Sequence, residues 1–180
     1  PRKPHTLLFT GNFEYAPNVD AAFFLAREVF PRVRALVPEA RLLLVGNAPP
    51  DAVQALADER ILVTGRVPDL KPYLAQAAVY VCPLRFGAGI KNKVLEALAM
   101  GCPVVVTPLS IDGIAARDGQ ELMLADADPD AFAQAVVRLL RDSVFAAWLG
   151  ASGRRLIEER YGWGKIAAAY EAVYGKGMRG

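Results

Sequence analysis

The strongest constraint on the fold of this chain is a repeated unit, a short apolar run that stops at a glycine and gives way to a helical pattern. Residues 6–10 (TLLFT) stop at Gly11-Asn12, residues 41–45 (RLLLV) at Gly46-Asn47, residues 61–64 (ILVT) at Gly65, and residues 79–83 (VYVCP) shortly before Gly87. Runs that stay apolar instead of alternating belong to strands buried on both faces, the condition of a parallel sheet. Between them come an amphipathic helix over about 17–33, with Pro31 expected to kink it, shorter helices near 50–57 and 71–76, and one starting near Ile90. A fifth strand over 103–107, a short sixth over 121–124 and helices over about 129–141, 144–160 and 164–174 complete the pattern. This is an α/β chain, a doubly wound, mostly parallel sheet of about six strands with extra C-terminal helices. Its 180 residues make one domain. The opening PRKPH has no initiating methionine, and residues 1–5 read as the remnant of a linker in a longer protein.

One unit breaks an electrostatic habit. Residues 80–108 read as strand, glycine loop, helix and strand, with Gly87-Ala88-Gly89 as the loop. Ile90, Val94, Ala97, Leu98 and Gly101 share the side of the helix that would pack on the sheet, while Asn92, Lys93 and Glu96 fall on the other. A helix N-terminus carries roughly half a positive charge, so lysines are misplaced there. Lys91 and Lys93 occupy that first turn, with Arg85 in the loop before it. A phosphate or diphosphate between them would relieve the repulsion, and glycines at 87 and 89 let backbone N–H groups approach such an anion. Taken on charge placement alone, the alternative is a solvated loop and helix face.

Other chemistry is excluded or reduced to structure. A net charge of +2 makes any anion site local and argues against a nucleic-acid or general membrane-surface binder. Cys82 and Cys102 lie in or beside apolar runs without metal-ligand spacing, and the single histidine is His5, so the expectation is buried thiols, a reducing compartment and no metal. No apolar run approaches the ~18 residues of a membrane span. Asp126-Ala127-Asp128 has the spacing of an acidic pair, but Asp128-Pro129 before a helical run reads as an N-cap. Gly11-Asn12-Phe13 is not the G-x-G-x-x-G of a dinucleotide fold. A receiver domain would need acidic residues where Gly11-Asn12 and Gly65 stand. Trp148 and Trp163 lie in apolar helical patterns and are expected to pack.

Three blocks, GNFEYAPNVDAAFFL, RLLLVGNAPP and VTGRVPDLKPYLAQAAVYVCPLRFGAGIKNKVLEALAMGCPVVVT, followed by RLIEERYGWGKIAAAYEAVY, resemble in order and spacing the C-terminal, donor-binding domain of group 1 glycosyltransferases. The resemblance covers about residues 6–174. It implies a B-type fold, two Rossmann-like domains facing a cleft. This chain would be the domain that binds a nucleotide diphosphate-sugar at the carboxyl ends of its strands. The N-terminal domain, absent here, would hold a carbohydrate or lipid-linked acceptor. The implied activity is retaining glycosyl transfer without a metal or other cofactor, in a cytoplasmic protein that could work at the inner face of the membrane. Position by position, Lys93 would take the diphosphate charge as the principal catalytic cation, with Arg85 and Lys91 supporting it. The N–H groups around Gly87, Ala88, Gly89 and Ile90 would donate to the phosphates. Glu96 would accept from the ribose hydroxyls, Gly11 and Asn12 would line the cleft, and Gly65, Arg66 and Val67 would border the base.

Two departures stand out. The family often carries two glutamates, and the first, which contacts the sugar, falls at Ala88. The family also often has an arginine and a lysine after the first strand, where this chain has Asn12-Phe13-Glu14-Tyr15-Ala16; the basic residues have moved to Arg85, Lys91 and Lys93. Two other readings share parts of this pattern. A nucleotide-sugar 2-epimerase would need acid/base carboxylates and a histidine in the cleft, and a non-catalytic module would bind nucleotide without turnover.

Overall fold

The computed structural model describes residues 1–89 and 91–162. Ile90, Trp163 and the helix expected over 164–174 lie outside the described residues. Six strands form one sheet in the order β3-β2-β1-β4-β5-β6: β1 (Lys3–Thr10), β2 (Arg41–Val45), β3 (Ile61–Val63), β4 (Ala77–Cys82), β5 (Val104–Val106) and β6 (Met123–Leu124). Every neighbouring pair is parallel. The central pair, β1 and β4, sets Leu7 beside Val79 and Leu8 beside Tyr80. Leu7, Leu8, Phe9, Val79, Tyr80, Val81 and Cys82 have no exposed surface, which is why these runs read as apolar without alternation.

The strand order reverses between β1 and β4. Right-handed crossovers that step from β1 to β2 in one direction and from β4 to β5 in the other place their helices on opposite faces. The loops after β1 and β4 therefore part, and a crevice opens above the carboxyl ends of these strands. On one side run α1 (Ala16–Phe23) and α2 (Phe30–Leu36), with α6 (Pro129–Arg141) packed against α2. On the other are α5 (Asn92–Ala99) and, along it, α7 (Ser143–Arg160). Two short helices, α3 (Asp51–Gln54) and α4 (Lys71–Gln76), complete the crossovers to β3 and β4. Asp128 caps α6, its Oδ1 accepting from the Ala131 N–H at 2.8 Å, with Pro129 in the first turn, as the sequence predicts.

Four expectations change. The first strand begins at Lys3, inside the stretch read as a linker. Arg2 is bound as well, donating to the carbonyls of Leu74 (2.9 Å), Ala77 (2.9 Å) and Met100 (3.0 Å). His5 sits at φ 60°, and the β1–β4 register shifts between Lys3 and Leu7, so the early residues pair irregularly and carry no apolar signature. Second, the helix after β1 is not one plain α-helix, and its irregularity falls just before Pro31. A wide π-type stretch, Phe24–Val29, lies just before α2 and puts Pro31 in the first turn of the new helix, where a missing N–H and a fixed φ do no harm. Third, the helix of the central unit begins at Asn92 instead of near Ile90, with Lys91 at its cap position. Fourth, Trp148 is 50% exposed and stacks on Phe145 at 5.9 Å between centroids. The buried stripe of α7 runs through Ala146, Leu149, Gly150, Gly153, Leu156 and Ile157, and Trp148 falls beside it.

Candidate functional site

The floor of the crevice is a close crossing of two loops. The Gly11 N–H donates to the Val45 carbonyl at 3.1 Å and the Phe13 N–H to that of Asn47 at 2.9 Å, so the loops after β1 and β2 extend the ladder beyond the strands. A Cβ on Gly46 would stand 1.7 Å from the Gly11 carbonyl oxygen, so no other residue fits there. Phe9 ends the apolar part of β1, its ring 6.3 Å from that of Phe13.

Above Phe9 sits Lys93. Its Nζ lies 4.9 Å from the ring centroid and donates to Asn18 Oδ1. Cation–π contact and a charge-assisted hydrogen bond offset part of the cost of removing the ammonium from water. Burial still pushes the Lys93 pKa below its ordinary value, and the neighbouring Lys91 adds to that. One turn on, burial raises the Glu96 carboxyl to about 7, against the downward pull of Lys93. Among the described residues Lys93 and Glu96 form no ion pair within 4 Å of each other, so the two do not cancel as an exposed i, i+3 bridge would. Beneath them Tyr80 is fully buried, and its hydroxyl shares a 2.9 Å hydrogen bond with that of Thr10.

The glycine loop is held from several sides. Ser110 Oγ donates to the Cys82 carbonyl at 2.7 Å, Thr107 Oγ1 donates to that of Leu84 at 2.6 Å, and the Leu84 N–H donates back to Ser110 Oγ at 3.2 Å. Arg85 makes a two-point pair with Asp20 (2.8 and 2.6 Å), its guanidinium 4.9 Å from the centroid of the Phe24 ring. Gly87 has φ 111°, which favours glycine, and a Cβ there would stand 2.6 Å from the Tyr15 hydroxyl. Lys91 is 6% exposed and donates to the Ala88 carbonyl at 2.9 Å, closing the loop onto the start of α5. Among the described residues no side chain caps that helix, and no acidic residue lies in its first turn.

The fold thus brings Gly11, Asn12, Arg85, Gly87, Ala88, Gly89, Lys91, Lys93 and Glu96 to the two loops and one helix that border the switch point. Gly65, Arg66 and Val67 follow β3, two strands away, or about 10 Å at the usual spacing. Among the described residues nothing beyond its chain neighbours comes within 4 Å of where a Gly65 Cβ would be, and Arg66 is exposed. Asn12 turns its side chain to Glu14, with Nδ2 donating to Oε2 at 3.2 Å. Sequence reasoning missed Asn18 and Asp20, the partners of Lys93 and Arg85. Asn18 had a signal: it lies on the stripe with Ala21, Ala22 and Leu25, a polar residue where the helical period demands an apolar one. Among the described residues no three His, Cys, Asp or Glu side chains converge as a metal-ligand set. A separate cavity of about 380 Å³, lined by Phe30, Arg34, Pro38, Asp58 and Ile61 among others, lies by the start of β3, away from all of these residues.

The arrangement offers a partly desolvated ammonium, an uncapped helix start and a carboxyl group poised near neutrality, which together suit a phosphorylated ligand carrying hydroxyl groups. Residues 4–142 match the family model described as glycosyl transferases group 1. The phosphatidyl-myo-inositol mannosyltransferase of Mycobacterium leprae is 31% identical over 180 residues, covering 97% of this chain and 47% of that protein. The chain spans about half the length of the curated relatives it matches most fully. Among solved structures, the C-terminal domain of a glycosyl transferase group 1 family protein (LpcC) from Francisella tularensis has a TM-score of 0.72 at 20% identity, covering 89% of this chain and 87% of that one. Anabaena Alr3699/HepE, solved with UDP and glucose, has a TM-score of 0.76 at 14% identity, covering 96% of this chain and 48% of that one. The structural likenesses establish the fold.

Proposed function

Because the chain belongs to the group 1 glycosyltransferases, we propose that its switch-point crevice binds the diphosphate of a nucleotide-sugar donor for retaining, metal-independent glycosyl transfer. The observation that carries this reading is the Lys93 ammonium, held by Asn18 over Phe9 at the uncapped start of α5. When the sugar leaves its diphosphate, negative charge gathers on the departing phosphate. A cation and helix-start N–H groups already in place stabilise that charge without reorganising. Lys93 supplies the cation. The loop from Gly87 to Lys91 supplies N–H groups beside it, and Glu96, in its carboxylate form, accepts from the ribose hydroxyls. Arg85 adds to the field from a distance, its charge largely offset by Asp20. Gly65, Arg66 and Val67, beyond the end of β3, would border the base.

The acceptor, a carbohydrate or a lipid-linked sugar acceptor, would be held by an N-terminal domain across the cleft, and turnover would need both halves. Among the described residues no helix is long and apolar enough to cross a membrane. The name of the Mycobacterium relative and the UDP and glucose in the Anabaena structure favour a hexosyl donor. The 2-epimerase reading loses ground because His5, the only histidine, stands near the amino end of β1, at the opposite edge of the sheet from the crevice.

Calorimetric titration of UDP, GDP and their sugar conjugates into the chain tests the reading and identifies the base. Saturable binding that Glu96→Ala weakens is expected. A folded chain that takes up none of these nucleotides at millimolar concentration would overturn it.

A further inference from the structure

Two cations reach toward α1, and α1 answers each in a different way. Asp20 meets Arg85 with a full negative charge through two hydrogen bonds. Two residues earlier Asn18 meets Lys93 with a neutral carbonyl oxygen. We infer that Asn18 is a positioning residue that aims the Lys93 ammonium into the crevice while leaving its charge uncancelled. The inference rests on the donor-site reading above and deepens it.

The orientation of the Asn18 amide is fixed from both ends. Asn18 is 4% exposed, and a buried amide needs partners. Its Nδ2 donates at 2.7 Å to the backbone carbonyl of Asn12, an atom that can only accept. Oδ1 must then face the other way, toward an ammonium that can only donate. Both neighbours demand the same rotamer of the amide. Gly11 makes room for it, since a Cβ there would lie 2.8 Å from Asn18 Cγ. Lysine is a point charge on a flexible four-carbon stem and has no preferred direction of its own. The Phe9 ring on one side and Asn18 Oδ1 on the other fix where Nζ stands. The ammonium has three N–H donors, and Asn18 occupies one of them. A carboxylate here would hold Lys93 as firmly and remove its attraction for a phosphate, as Asp20 does to Arg85.

The test compares Asn18→Asp, Asn18→Ala and Asp20→Asn in the 180-residue chain, with two readouts. The first is the NMR titration of the Lys93 side chain in protein carrying ¹³C-labelled lysine, which requires no nucleotide. The second is calorimetry with UDP and GDP. In Asn18→Asp the Lys93 titration should move to higher pH, and diphosphate affinity should fall about tenfold or more, the size of one lost charge-assisted contact. Asn18→Ala should shift the Lys93 titration and weaken diphosphate binding less than Asn18→Asp does. Asp20→Asn, which releases Arg85, should leave the Lys93 titration in place and should not weaken binding. A purely structural Asn18 would change melting temperature alone. A Lys93 titration that ignores Asn18→Asp refutes the pairing, and wild-type affinity in Asn18→Asp refutes the aiming role. If the unmodified chain binds neither UDP nor GDP, the donor reading falls, and the lysine titration alone decides whether Asn18 governs Lys93.

Discussion

Two helices that follow strands of the sheet, α5 after β4 and α6 after β6, start in opposite ways. At α6 the chain completes its own helix end: Asp128 caps it, Pro129 occupies the first turn, and Asp130 adds a second acidic group there. The next helix, α7, is finished alike, with Asp142 accepting from the Phe145 N–H at 2.9 Å. At α5 there is no cap and no acid; a buried lysine holds the cap position and a second lysine follows one residue into the helix. A missing cap forgoes about 1 kcal/mol, and two cations against the dipole add to the cost. Both starts lie beyond the carboxyl ends of strands, but only α5 opens at the switch point. On the proposed donor-site reading, the difference is that of a helix end serving the fold alone and one left incomplete for a ligand.

The comparison can be broken most directly at Lys93. Lys93→Ala should weaken UDP or GDP binding tenfold to a hundredfold, from roughly 1.5–3 kcal/mol of charge-assisted bonding. Its midpoint in urea should move little, because removing a partly desolvated charge favours the fold while leaving Asn18 Oδ1 without its partner opposes it. Unchanged affinity would place the anion elsewhere. Next is pH. With the Glu96 carboxyl near 7, its hydrogen-bond-accepting form fills in as pH rises from 6 to 8, and nucleotide affinity should rise with it; Glu96→Gln should flatten the profile. Stability should move the other way. The folded pKa is raised above the unfolded value, so this group's contribution is fully present below the ordinary carboxylate range and is lost as pH climbs through about 7. Denaturation midpoints at pH 5 and pH 8, with and without Glu96→Gln, measure it. Asp128→Ala then probes the finished end: about 1 kcal/mol of stability lost by urea titration and no change in nucleotide binding. Smallest is Arg85→Ala. An exposed pair is worth under about 1 kcal/mol, and with Asp20 already offsetting the charge the affinity should change less than about threefold; a larger fall would show that Arg85 leaves Asp20 when ligand binds.

The sheet was legible because burial on both faces writes itself as unbroken apolar runs, and because glycine marks the strand ends where loops cross closely. The unfinished helix was legible too, since Lys91 and Lys93 contradict a local electrostatic rule that needs no tertiary information. Their partners were not. Asn18 and Lys93 are 75 residues apart, and Asp20 and Arg85 are 65 apart; nothing local says which polar side chain on α1 will meet which cation. Arg2 was missed for the same reason, its acceptors lying between Leu74 and Met100. Trp148 shows the converse. Helical periodicity identifies an apolar stripe, but which of two adjacent apolar residues faces inward depends on the helix packed against it, here α5.

The wide stretch Phe24–Val29 separates two halves of one long helical crossover whose tasks differ. The first half turns Asn18 and Asp20 to the crevice, and the second seats Phe30 and Val33 in the core. Closing this stretch into a plain α-helix without removing a residue would rotate the halves against each other by about 100°, one residue's turn. Either the two cations would lose their partners or the core would lose its aromatic anchor. The wide turn takes up one residue more than a plain α-helix would, and it is this width that keeps the two halves in phase. In a library of single-residue deletions through the crossover, those within 24–29, which can close the wide turn into a plain α-helix, should lose the least nucleotide binding.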